Sequence, residues 1–199
     1  MGWACSGLIA PLLTLSLLAC GASDSVPVWG TLPEFVLLDQ NSQPFGSEQL
    51  HGKPWLADFI FTQCPGRCPM LTREMARIQA ELRRRDWGDV QLVSISVDPE
   101  HDTPEALGSY AQKHGAEQDS WSFLTGEREA IWALSVDGFK LPVANSESVS
   151  GPILHSNKFV LADRMGRIRG YYDALDKRQR AKLLDDLERV RAEGIAEAG

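Results

Sequence analysis

Residues 54–70 read PWLADFIFTQCPGRCPM. Pro54 to Phe61 are apolar apart from Asp58, which predicts a strand buried on both faces. The strand delivers Cys64 to its C-terminal end, where open α/β sheets place their sites. Pro69 suits the first turn of a helix, because the N–H it lacks would find no partner there. Beyond it Leu71, Met75, Ile78 and Leu82 recur at spacings of four, three and four, the apolar face of a helix from about Pro69 to Arg85. Cys68 is therefore expected at a helix N-terminus, where the dipole and free N–H groups favour a thiolate.

The same alternation continues outward. Residues 90–97 (VQLVSISV) form a second buried strand. Thr103-Pro104-Glu105 starts a helix, with Thr103 as cap, that runs to about His114. Another helix is expected over 127–136. Phe35 to Leu38 read as a strand before the turn-rich DQNSQPFG, and KFVLAD and RIRGYYD flank Met165-Gly166 as a terminal hairpin. Leu183, Leu184, Leu187 and Val190 give a last helix its apolar stripe, and the charges over 177–191 form its solvated face. Strands alternating with helices predict an α/β fold with parallel pairs in its sheet.

The N-terminus reads differently. Leu8 to Ala19 is apolar except for Pro11 and two small hydroxyl residues, and at about 12 residues it is shorter than the roughly 20 that span a bilayer. It fits the apolar region of an export signal, and Leu17-Leu18-Ala19-Cys20-Gly21 resembles a lipoprotein cleavage site. Two features depart from that pattern: residues 1–7 hold no Lys or Arg, and Leu18 is bulky. An ordinary cleaved signal and an uncleaved anchor are the alternatives. The expected organisation is a signal over 1–19, lipidated Cys20, a linker over 20–30, and one domain over 31–199. The domain would be exported and anchored to a bacterial membrane, facing the periplasm. The 199 residues carry a formal net charge of −7, which disfavours nucleic acid as a partner.

Of the four cysteines, Cys5 falls in the signal and Cys20 at its end, leaving Cys64 and Cys68 in the folded part. A lone pair in an exported domain is a disulfide or a metal site. Three intervening residues make a loop wide enough for both sulfurs to hold a soft metal, and still able to close as a disulfide. As a plain staple the loop is poor, since the gain from closure grows with loop length.

Three blocks carry a resemblance: DFIFTQCPGRCPMLTREM, VSISVDPEHDTPEALGSYAQKHG and LHSNKFVLADRMGRIRGYYD. Together they resemble the Sco/SenC family of copper-binding proteins over most of residues 31–175. The resemblance implies a thioredoxin-like fold with inserted elements. It implies copper delivery to, or thiol maintenance of, the binuclear copper centre of cytochrome c oxidase. The partner would be that copper-centre subunit or another copper-carrying protein. The implied ligands are Cys64, Cys68 and His155.

The donor chemistry agrees with a copper site. Thiolate selects Cu(I), and imidazole also suits Cu(II). A structural zinc site wants four protein ligands, and only three convincing ones are present. Of the other histidines, His51 precedes a glycine in a loop, His101 lies in a charged turn, and His114 ends a helix where a cation suits the dipole. Asp58 lies six residues before Cys64, an offset at which thioredoxin-like proteins often keep a buried Asp as proton acceptor for the second thiol. It reads equally as a hydrogen-bonded strand residue. Asp98 reads as a turn residue, Met70 as core, and Trp55, Trp87, Trp121 and Trp132 as packing residues. The competing function is a thiol-disulfide oxidoreductase or peroxidase-like enzyme using Cys64 and Cys68. Against it stands the three-residue spacing, where thioredoxin-type reductases have two.

Overall fold

The structure, a computed structural model, describes residues 1, 25–64, 66, 68–145 and 153–196. The elements are β1 (Gly30–Thr31), β2 (Val36–Asp39), β3 (Pro44–Gly46), α1 (Ser47–Leu50), β4 (Trp55–Ile60), α2 (Cys68–Arg84), β5 (Gln91–Ser96) and α3 (Pro104–Lys113). They continue with β6 (Trp121–Thr125), α4 (Arg128–Ala133), β7 (Val143–Asn145), β8 (Ile153–His155), β9 (Lys158–Ala162), β10 (Arg167–Asp173) and α5 (Lys177–Ala196). One sheet runs in the order β1-β10-β9-β4-β5-β6-β2-β3, and β7 pairs with β8 in a separate ribbon.

Strands β4, β5 and β6 are parallel and buried along their whole length, as strands covered on both faces are. On the other side of β4, β9 pairs antiparallel, and β10 returns antiparallel to β9 through the hairpin whose turn holds Gly166 at φ +70. Asp163 fixes that turn by accepting from the backbone N–H groups of Met165 and Arg167. Helix α2 buries Leu71, Met75, Ile78 and Leu82, and α5 buries Leu183, Leu187 and Val190, so both periodic stripes face the core as expected. Thr103 caps α3 by accepting from the Ala106 N–H.

Three local features differ from expectation. The helix expected over 127–136 is only six residues of α-helix, followed by a π-helical turn over Leu134–Gly138. The wider turn ends on Phe139, whose N–H donates to the Leu134 carbonyl and whose ring stands edge-on to Trp55 and Phe59 in the core. Second, the stretch read as linker is tied down from Val26 onward. Val26 is buried, its N–H donates to Glu193, and its carbonyl accepts from Arg169. Arg169 is itself buried and ion-paired with Asp163 and Glu193, so its remaining donors need an acceptor. Third, His114 does end α3, but burial above all pushes its pKa down, and the Lys113 and Arg73 charges add to this. It is held away from the cationic form expected of it.

The polarity of the sheet matters for the site. Trp55 starts β4 opposite Ala162 at the end of β9, and Ala162 faces Ile168 near the start of β10. These residues mark one end of the sheet. The C-terminal end of β4 and the approach to β9 mark the other.

Candidate metal centre

Cys64 leaves the sheet four residues after β4 ends, and its N–H donates to the Phe61 carbonyl at 3.3 Å. The segment before it is anchored by Asp102, a fully buried carboxylate that accepts from the Thr62 N–H, the Thr62 hydroxyl and the Ser96 hydroxyl. Asp102 thus fastens the segment before α3 to the strand end that presents Cys64. Sequence reasoning missed this residue. Its one sequence signal was an acidic residue just before a helix cap, and a partner 40 residues away leaves no local periodicity.

Cys68 is the first residue of α2 and is fully buried. His155 ends β8, on the ribbon outside the main sheet, and its ring stands edge-on to Phe61 at 5.6 Å. The Sγ atoms of Cys64 and Cys68 and a ring nitrogen of His155 all lie within 4.8 Å of one another. Among the described residues, this is the one group of three such ligands that converges. His155 Nδ1 lies 3.0 Å from the Ser156 carbonyl oxygen. A carbonyl can only accept, so Nδ1 carries the proton and Nε2 keeps its lone pair. Nε2 is the nitrogen 3.0 Å from Cys68 Sγ, facing the sulfurs. An outer hydrogen bond that fixes the tautomer is what a metal-ligating histidine requires.

The two thiols are unlike. Partial burial would lift the Cys64 pKa, but hydrogen bonds with His155, with the Cys68 side chain and with the Cys68 and Gly66 backbone outweigh it and draw it down to about 6. Burial, foremost, pushes the Cys68 thiol far up, with the neighbouring Cys64 and Asp58 adding to the rise. The expectation of a thiolate favoured at the helix start therefore fails for Cys68, because desolvation exceeds the dipole's help, and the favoured thiolate is Cys64. A direct outcome follows for the reduced, metal-free chain. Iodoacetamide should label Cys64 first, its rate rising through a pH near 6, while Cys68 lags. Peptide mapping by mass spectrometry reads both sites, and faster labelling of Cys68 would contradict the assignment.

Asp58 is fully buried in β4. Ser94, itself held by Trp121, donates its hydroxyl to Asp58 Oδ1 at 2.6 Å, whereas Oδ2 has no partner. Burial raises its pKa to about 6 against the opposing pull of the Ser94 hydrogen bond and of nearby His155. Both readings of Asp58 keep a physical basis here: it is a hydrogen-bonded strand residue, and it has a free oxygen and a pKa near neutrality. Asp98 accepts from the exposed His101 at 2.9 Å and stands 3.9 Å from Arg128, outside the converging trio. His51 is exposed. Met70 is 42% exposed rather than core, since the α2 stripe starts one residue later at Leu71. Trp55 and Trp121 are core, Trp87 is nearly so under the guanidinium groups of Arg85 and Arg191, and half-buried Trp132 donates to the Val97 carbonyl. Cys20 lies outside the described residues.

A model of the SCO1/SenC family matches residues 30–191. The chain belongs to the SCO1/SenC family. The SCO1 protein homolog of Bacillus subtilis (strain 168) is 32% identical over 184 residues, covering 92% of this chain and 94% of that protein. A putative copper-binding protein of Stutzerimonas stutzeri is 35% identical over 161 residues, covering 80% of this chain and 74% of its own. The crystal structure of a SCO1/SenC family lipoprotein from Bacillus anthracis superposes with a TM-score of 0.76 at 35% identity, covering 81% of this chain and 95% of that one. The fold is thioredoxin-like, and in this Sco protein the ribbon of β7 and β8 lies outside the main sheet and carries His155.

Proposed function

We propose that this Sco protein binds one copper ion through Cys64, Cys68 and His155 and serves the binuclear copper centre of cytochrome c oxidase. The observation that carries the reading is the convergence of two sulfurs with an imidazole nitrogen whose lone pair is left free by the Ser156 carbonyl. Two soft donors and one imidazole fit copper in either common oxidation state. Copper is the cargo here. Half-buried Cys64 is the ligand that an incoming partner group reaches first, while buried Cys68 stays shielded. Delivery would then proceed by ligand exchange that begins at Cys64. The protein would work outside the cytoplasm, held at a bacterial membrane through lipidated Cys20.

The unequal thiols also favour a second reading, reduction of the partner's cysteines. The Cys64 thiolate would attack one sulfur of a partner disulfide, breaking its S–S bond, expelling the partner's first thiolate and forming a mixed disulfide. Cys68 would then attack Cys64, releasing the partner's second thiolate and leaving Cys64–Cys68 oxidised. In that second step Asp58, whose charge acts on Cys68 and whose Oδ2 is unpartnered, would take the Cys68 proton.

Copper titration of the chain with Cys5→Ser and Cys20→Ser tests the first reading. The reduced protein should take up close to one copper per chain. The Cys64–Cys68 disulfide form should lose tight binding, because the thiolate is the ligand. Equal uptake by the oxidised form would overturn the site.

A further inference from the structure

We propose that the end of the sheet opposite the cysteines is a membrane-contact face, with Trp29, Val28 and Met165 inserted at the headgroup–acyl boundary of a phospholipid bilayer. The proposal rests on the reading that lipidated Cys20 holds the chain at a membrane.

Trp29 is 66% exposed, Met165 61% and Val28 52%. Trp29 and Met165 sit at one end, and Val28 precedes Trp29 in the chain. The Trp29 N–H donates to the Ile168 carbonyl and the Leu32 N–H to the Gly166 carbonyl, which sets β1 beside the turn that carries Met165. Through Ile168, Ala162 and Trp55 this end is level with the start of β4.

The occupant follows from chain length. Val26 is docked on Arg169 and Glu193, so the fold begins six residues after Cys20. Six extended residues reach at most about 21 Å. A bilayer that holds the lipid on Cys20 is therefore within that distance of Val26, which docks on Arg169 of β10. Tryptophan and methionine side chains suit such a boundary, and tryptophan is enriched there because its ring is apolar while its N–H can stay hydrated. Exposed Lys53 flanks the same end, whereas Arg164 and Arg167 are paired with Asp89 and Asp163. Contact made this way turns the cysteines outward, since β4 alone carries the chain about 17 Å from Trp55 to Ile60.

The test uses the processed chain carrying its lipid on Cys20, reconstituted into phosphatidylcholine vesicles with and without bromine on the acyl chains, and its Trp29→Phe variant. Flotation reports anchoring, and bromine quenching of tryptophan emission reports insertion. The other tryptophans are common to both chains, so the difference between the chains isolates Trp29. The expected result is that both chains float and that the variant loses a component of quenching which persists in the parent at high salt. Flotation with equal quenching of the two chains would overturn the contact face and leave the anchor standing. Failure of both chains to float would overturn the anchor and the contact face together.

Discussion

Replacing His155 with alanine should lower copper affinity at least about 10–100-fold, the loss typical of removing even a group that only supports a ligand. The Cys64–Cys68 pair should still cycle between dithiol and disulfide. Exchange depends on thiolate fraction, leaving-group pKa and access. His155 influences the first of these, because it helps hold the Cys64 pKa near 6. The variant should therefore exchange more slowly near neutral pH and recover in mild alkali, where Cys64 ionises unaided. Copper affinity should not recover with it. Measured side by side across pH, the two quantities separate a copper carrier from a thiol reductase. Parent-like copper binding in the variant would remove His155 from the site. Loss of exchange at every pH, with copper binding intact, would promote the reductase.

Asp58→Asn should stabilise the reduced, metal-free protein at neutral pH and remove a pH dependence from its folding. Burial raises the folded-state pKa of this acid from 3.8 to about 6. The folded chain therefore binds more protons than the unfolded chain between those values. Stability is greatest below about pH 4, falls as pH rises toward 6, and stays lower above it. That rise in pKa corresponds to about 3 kcal/mol. Asparagine keeps an oxygen for the Ser94 hydroxyl but places an amide where Oδ2 stood, so a net gain of about 1–3 kcal/mol is expected above pH 7. Urea unfolding of parent and variant at acid and neutral pH checks this, and equal pH slopes would contradict it. The same variant divides the two readings of Asp58. A proton acceptor for Cys68 predicts slower disulfide formation at neutral pH, and a strand residue that only satisfies Ser94 predicts no slowing.

The parts of this molecule legible in its sequence are those with a repeating signal. The apolar run around Asp58 marked β4, the four-three-four spacing from Leu71 to Leu82 marked α2, and Thr103-Pro104 marked the start of α3. Cys64 and Cys68 were visible because their spacing is local. His155 was not visible in that way. It lies on a three-residue strand with no periodicity, 87 residues beyond Cys68, and position alone gave it little weight beside three other histidines. The resemblance supplied it, and the geometry now supplies a reason in the Ser156 carbonyl. Asp102 and Arg169 escaped for a different cause. Each is a buried charge whose partners lie on other elements, and only the folded arrangement shows why it is there.

The separation of Cys68 from His155 along the chain also makes the two forms of the site different kinds of fastening. A disulfide between Cys64 and Cys68 links near neighbours and scarcely restricts the unfolded chain. A metal ion shared with His155 links positions 87 residues apart. On loop-closure entropy alone, the longer link restricts the unfolded chain by about 3 kcal/mol more. Loading and oxidation, though they use the same two sulfurs, would then be told apart by a thermal melt: one sews the ribbon to the end of the sheet, and the other closes a single turn.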